Sequence, residues 1–167
     1  PNLEAKTFMQ PEHAYYANHP GRFFYIKDEE TGEIFSAPFE PTKTSLDYFC
    51  FSAGQNDIRW HIEALNIAVN VTVSLSDSDA IEIWELSVTN LDNKVRNISI
   101  YPYFTIGYMS WMNQSADFIL ELNAIIATCI SPYQKVEEYF DRAHLKDKTY
   151  FIADTTPTSW CCNQKVF

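Results

Sequence analysis

The stretch from Ala80 to Ile106, AIEIWELSVTNLDNKVRNISIYPYFTI, limits the fold more than any other part of the chain. In its first limb Trp84, Leu86 and Val88 fall on one face, and Glu85, Ser87 and Thr89 fall on the other. In its second limb Ile98, Ile100, Pro102, Phe104 and Ile106 alternate with Asn97, Ser99 and Tyr103. Strand side chains point to opposite faces at every step, so each limb has one face to bury and one to wet. Asn90 to Lys94 gathers residues that tolerate turn geometry and bond locally to the backbone. The pattern predicts two long strands joined as a β-hairpin.

The same period runs through much of the chain. RFFYIKD (Arg22 to Asp28) predicts a strand, Glu29 to Gly32 a turn, and Glu33 to Pro38 a short returning strand. Pro38 and Pro41 then mark a loop or a sheet edge, because proline cannot donate to a ladder. Thr44 to Ser52 reads as an aromatic strand, and Ala53 to Asp57 as the next turn. Ile58, Trp60, Ile62 and Ala64 take one face against Arg59, His61 and Glu63. After Asn66 comes the cleanest alternation, with Ile67, Val69, Val71, Val73 and Leu75 inward and Ala68, Asn70, Thr72 and Ser74 outward. Ser76 to Asp79 turns the chain again. Gly107 to Phe118 lacks a period and reads as a long loop, with a short helix near Ser115 to Leu122. Ala124 to Ser131, Tyr133 to Phe140 and Thr149 to Asp154 read as further strands, and Ala143 to Lys148 as a charged turn. Strands at this spacing with no helical period between them predict an all-β, antiparallel sandwich with little helix. Residues 1–21 show no period and are expected to form an irregular arm, with 22–167 forming the sandwich domain.

A length of 167 residues, 46% of them hydrophobic and 16% aromatic, suffices for a real core and argues against disorder. No apolar run approaches the roughly 20 residues of a membrane helix, and no secretory signal is visible. The net charge of −10 is scattered over the chain without a basic patch, which argues against nucleic acid and anionic membrane as partners. Cys50, Cys129, Cys161 and Cys162 contain no CxxC spacing and do not group with the four histidines, so no metal site is predicted. Free, mostly buried thiols in a reducing cytoplasm are expected. Asn70, Asn97 and Asn113 formally begin glycosylation sequons, read here as chance.

Carboxylates for acid–base work are available at Glu82 and Glu85, at Glu137 and Glu138, and at Asp28 with Glu29 and Glu30. A glycosidase sets two carboxyl groups across a substrate, usually from separate segments, and each of these groups reads more simply as a solvated face or turn. No GxSxG, HExxH or P-loop is present. His61 reads as a surface residue. The segment from Tyr108 to Phe118 holds Met109, Trp111 and Met112 beside Asn113 and Gln114. An aromatic face with amides at its rim suits a sugar ring and its hydroxyls, and Ser110, Trp111, Asn113 and Gln114 are the candidate substrate-binding residues. The alternative is that Trp111 and the methionines plug an open end of the sandwich.

YIKDEETGEIFSAPFEPT (Tyr25 to Thr42), IEIWELSVTNLDNKVRNISIYPYF (Ile81 to Phe104) and SWMNQSADF (Ser110 to Phe118) resemble the N-terminal domain of the cellobiose phosphorylase family, glycoside hydrolase family 94, formerly glycosyltransferase family 36. SPYQKVEEYF (Ser131 to Phe140) and LKDKTYFIADTTPTSW (Leu145 to Trp160) look closer to its cellobionic-acid-phosphorylase-like branch. The resemblance implies a β-super-sandwich followed by a helical linker and an (α/α)6 barrel. It also implies inverting phosphorolysis of β-glucosides to α-glucose 1-phosphate. Inorganic phosphate would serve as co-substrate, with no cofactor, so one carboxylic acid suffices, and that acid would lie in the barrel. No catalytic residue is therefore expected in this chain. Family members are typically homodimers, and the loop corresponding to Tyr108 through Leu120 approaches the acceptor sugar. Where cellobiose-specific members carry a Gln-Arg pair, an ungapped match places Ile119 and Leu120.

The leading expectation is thus a cytoplasmic, non-catalytic N-terminal sandwich, inactive alone, that supports the barrel, dimerises and shapes the acceptor end of a β-glucoside pocket. The abrupt stop at Phe167 is read as a cut before the linker. A free-standing carbohydrate-binding sandwich and a pure oligomerisation module are the alternatives.

Overall fold

A computed structural model describes residues 22–104, 114–130 and 146–162. The chain divides into two compact units, one of Asn18–Phe104 and one of Pro1–Ala17 with Thr105–Phe167.

The first unit holds β1 (Arg22–Asp28), β2 (Ile34–Ala37), β3 (Tyr48–Ala53), β4 (Asp57–Ala64), β5 (Ile67–Leu75), β6 (Glu82–Asn90) and β7 (Ile98–Phe104). One sheet is ordered β2-β1-β7 and the other β3-β4-β5-β6, and their pairings are antiparallel. Most of the inward positions read from the sequence are buried, but Leu75 and Ile100, read as inward, are exposed, and Ala68, read as outward, is buried. Ile62, Ala64, Ile67, Val69, Val71 and Val73 from the larger sheet meet Phe24, Ile26, Phe35 and Ala37 from the smaller. Trp84, Leu86 and Val88 of β6 pack against that core from the partly buried edge. The predicted antiparallel sandwich is the architecture of this unit.

Local chemistry sets the turns. Leu65 and Asn66 both have positive φ (53° and 58°), the twist that joins β4 to β5 through a two-residue connection. Gly32 (φ 75°) closes the β1–β2 turn. In that turn Asp28 Oδ1 accepts the N–H groups of Glu30 (2.8 Å) and Thr31 (3.2 Å). The peptide bonds before Pro38 and Pro41 are cis, and the prolines end β2 as expected.

The central hairpin is not formed. β6 pairs with β5 from Leu75↔Glu82 to Ile67↔Asn90, whereas β7 pairs with β1 from Arg22↔Phe104 to Asp28↔Ile98. The segment between them leaves the larger sheet at Leu91, whose N–H binds Asn66 O (2.9 Å), and joins the smaller at Asn97, whose carbonyl accepts Glu29 N–H (2.9 Å). Both limbs are strands, but they belong to opposite walls of the sandwich. Arg96 travels on this crossing and fastens the two walls. Its guanidinium binds the Asp28 carboxylate on one side and the Leu65 carbonyl on the other.

The second unit contains β8 (Gln114–Ile119), a 3-10 turn (Leu120–Leu122), β9 (Ala124–Ile130) and β10 (Lys146–Ile152), with sheet order β10-β9-β8. Three expectations are corrected here. Of the loop and short helix predicted over 107–122, the described part is a strand, Gln114–Ile119, and a single 3-10 turn, Leu120–Leu122. The charged turn predicted to reach Lys148 yields to β10, because Lys146, Asp147 and Lys148 pair with Ile130, Cys129 and Thr128. Lys148 is exposed on this edge strand, so its charge does not stop it from pairing. Residues 1–21, 105–113 and 131–145, including the strand predicted over Tyr133 to Phe140, lie outside the described residues.

Among the described side chains the thiols are not mostly buried. Cys50 and Cys161 are exposed and Cys162 is half-buried. Cys50 sits on the outer face of an edge strand, where no second layer covers it.

Candidate functional site

Ser110, Trp111 and Asn113 lie outside the described residues, so the candidate sugar-binding segment is visible only at its downstream end. There the backbone of Gln114 begins β8, opposite Cys129. Ser115 Oγ and Thr128 Oγ1 meet across the next rung at 2.9 Å. Phe118 stacks on Trp160, with ring centroids 4.2 Å apart and planes 20° from parallel. Ile119 ends the strand half-buried, and Leu120 opens the 3-10 turn largely exposed. Asn123 follows in the left-handed region (φ 48°). Its Nδ2 donates to the carbonyls of Ala153 (2.8 Å) and Thr155 (3.1 Å), which ties the turn to the segment after β10. The Oδ1 of Asn123 is buried and has no partner among the described residues.

Sequence reasoning did not single out two further clusters. On the outer face of the larger sheet, Cys50, His61, Asn70 and Ser87 form one row across β3, β4, β5 and β6. His61 Nδ1 lies 2.7 Å from Asn70 Oδ1, and Nε2 lies 3.2 Å from Glu63 Oε1. Both ring nitrogens face oxygen acceptors, so the Asn70 contact first and the Glu63 contact second raise the imidazole above its usual value. Tyr48 packs edge-on to the His61 ring (5.3 Å), and the Cys50 thiol beside it pushes the Tyr48 hydroxyl up. The period-two pattern placed these residues on one face. Their meeting in one row depends on register, which alternation alone leaves open.

At one end of the sandwich, near-parallel Trp60 and Trp84 lie 6.4 Å apart, with Phe51 against Trp60 and Phe24 against Trp84. Glu82 Oε1 accepts both Trp84 Nε1–H and the Arg22 guanidinium.

The candidate carboxylate pairs dissolve under this geometry. Glu82 and Glu85 stand an odd number of positions apart on β6 and face opposite ways. Asp28 is bound to Arg96, whose hydrogen bonds hold its carboxyl below the usual range. Glu29 is likewise lowered, first by Lys27. Glu137 and Glu138 lie outside the described residues. Among the described residues no three His, Cys, Asp or Glu side chains are grouped to hold a metal, and no helix is long and apolar enough to cross a membrane. The described part of the chain is a scaffold with aromatic and amide surfaces, and it sets no two of the candidate carboxylates across a cleft.

Comparison with known proteins fits that picture. The family model for the glycosyl hydrolase 94 supersandwich domain matches residues 11–167. The chain is 55% identical over all 167 residues to cellobionic acid phosphorylase of Neurospora crassa. It is 30% identical over 151 residues, 87% of its length, to 3-O-beta-D-glucopyranosyl-beta-D-glucuronide phosphorylase of Paenibacillus borealis. It is 27% identical over 153 residues to solabiose phosphorylase of the same organism. It spans 21% of the first relative's length and 19% of each of the other two. An all-β sandwich, matched over nearly its whole length by one family model, this chain belongs to the glycosyl hydrolase 94 supersandwich-domain family.

Proposed function

We propose that this chain is the non-catalytic N-terminal sandwich of an inverting β-glucoside phosphorylase, acting in the cytoplasm as a homodimer. In this reading a helical barrel of the same polypeptide carries the general acid and takes inorganic phosphate as co-substrate, and no cofactor is used. The sandwich buttresses the barrel, contributes to dimerisation and presents the segment containing Ser110, Trp111, Asn113 and Gln114 to the acceptor sugar. The observation that carries the proposal is 55% identity to cellobionic acid phosphorylase over every residue of the chain.

The same relatives support an acceptor class. Two of them, by name, act on sugars bearing a carboxylate, cellobionic acid and a glucuronide. Ile119 and Leu120 have no side-chain donor, so the Gln-Arg contacts of cellobiose-specific members are not available here. A β-glucoside of an acidic sugar is the substrate this combination favours. The test measures glucose 1-phosphate released from phosphate with cellobionate or with cellobiose. The longer polypeptide should turn over cellobionate at least about tenfold faster in kcat/KM, a difference of about 1.4 kcal/mol. The 167-residue chain alone should release none. Turnover by the chain alone, or a preference for cellobiose, overturns the reading.

A further inference from the structure

Among the described strands, β3 is an edge that lacks the usual protection. Its sequence, YFCFSA, holds no charge and no proline, and all six residues are exposed. Tyr48, Phe49 and Phe51 are 49%, 50% and 52% exposed. Other edges are guarded. β2 is four residues long and runs straight into Pro38, β7 carries Pro102, and β6 carries Glu82 and Glu85. Phe49 and Phe51 point to the core side of the larger sheet, opposite Ile62 and Trp60. The facing sheet has one strand fewer and leaves them open.

The main chain of β3 is equally available. Gly54 N–H binds Asp57 O (2.8 Å) at the closing turn. Alternation then turns Ser52, Cys50 and Tyr48 toward β4, and turns Phe49, Phe51 and Ala53 outward. Among the described residues, the N–H and C=O groups left without a strand partner therefore sit on the two aromatic residues and their neighbour.

We propose that β3 pairs antiparallel with β3 of a second copy of this chain, about a twofold axis at Cys50. The inference rests on the dimerising part of the function proposed above. An antiparallel edge can pair with itself under a twofold, and opposed residues must share a face. Centring at Cys50 sets Phe49 against the partner's Phe51 twice, at hydrogen-bonded rungs. Cys50 then meets the partner's Cys50 at a non-hydrogen-bonded rung, where side chains approach closest. No charged residue of the strand meets its own copy. In the joined sheet the Glu63 rung of one copy continues, with β3 and its copy between, into the Arg59 rung of the other, so like charges do not share a rung. The two four-stranded sheets become one of eight.

The test uses light scattering and sedimentation over a range of concentrations, with a short bis-maleimide that bridges only adjacent thiols. The expected mass is twice 19.4 kDa, with a cross-linked dimer that Cys50→Ser abolishes while leaving the mass unchanged. Phe51→Lys should retain the far-ultraviolet circular dichroism and the cooperative melt but weaken dimerisation by about a hundredfold or more, the scale of a buried aromatic anchor. Leu75→Lys, at another exposed apolar position, should dimerise normally. The proposal fails if the chain is monomeric throughout, or if Phe51→Lys associates as the parent does. It also fails if the Phe49, Phe51 and Ala53 amides resist hydrogen exchange in a monomer, because another element then covers the edge. None of these readouts involves sugar turnover, so a failure here is separable from a failure of the phosphorylase reading.

Discussion

Arg96 and Asp28 bind across 68 positions of sequence and are nearly sealed from water, at 5% and 2% side-chain exposure. Removing either partner would leave the other charge uncompensated inside the sandwich, which costs more than the pair itself contributes. The pair also carries a pH signature. Asp28 has a lowered pKa because Arg96 binds its ionised form, with the Glu30 and Thr31 N–H groups adding to the effect. A group depressed on folding stabilises above its unfolded value and loses that contribution as pH falls through the folded one. Thermal melts from about pH 7 down to about pH 2 should therefore show a midpoint that drops in the acid range. Asp28→Asn should be less stable at neutral pH and should lose part of that acid slope. An unchanged slope would show that other carboxylates carry it. Reading the sequence could place Asp28 at the end of a strand, next to a turn. Nothing in a linear pattern announces a partner so far along the chain.

At the scale of elements, alternation identified strands well and their partners poorly. β5 was the cleanest run and lies at the centre of the larger sheet, since a strand with both neighbours present has one face to bury throughout. β6 and β7 were equally legible as strands and were joined wrongly. The seven residues from Leu91 to Asn97 exceed the two to five typical of hairpin loops, and that length was the available warning. The candidate sugar-binding segment was legible only in composition, and its one described member, Gln114, begins a strand where a loop was expected. Packing makes the core elements testable by substitution. Ile62 on β4 is fully buried, whereas Ile152 on β10 is 65% exposed. Ile62→Ala should lower the unfolding free energy by about 2–5 kcal/mol through lost burial and a residual cavity. Ile152→Ala should change it by about 0.5 kcal/mol or less. Chemical denaturation at fixed pH checks both, and equal effects would contradict the assignment of the core to the first unit.

For the whole molecule, charge and apolar surface pull association in opposite directions. Each copy carries −10, so two copies repel at long range. The β3 edge offers the opposite, a short-range contact of aromatic rings and main-chain hydrogen bonds that ions do not screen. The sign of the salt dependence then reports what holds the pair together. Screening shortens from about 30 Å at 0.01 M salt to about 3 Å at 1 M, which removes the repulsion and leaves the edge contact intact. Dimerisation through β3 should therefore strengthen as sodium chloride rises across that range, and Phe51→Lys should remain the weaker form at every concentration. A dimer held instead by ion pairs between charged surfaces would weaken with salt. Sedimentation equilibrium at three salt concentrations distinguishes the two, and weakening would assign the assembly to charged surface rather than to the unguarded edge.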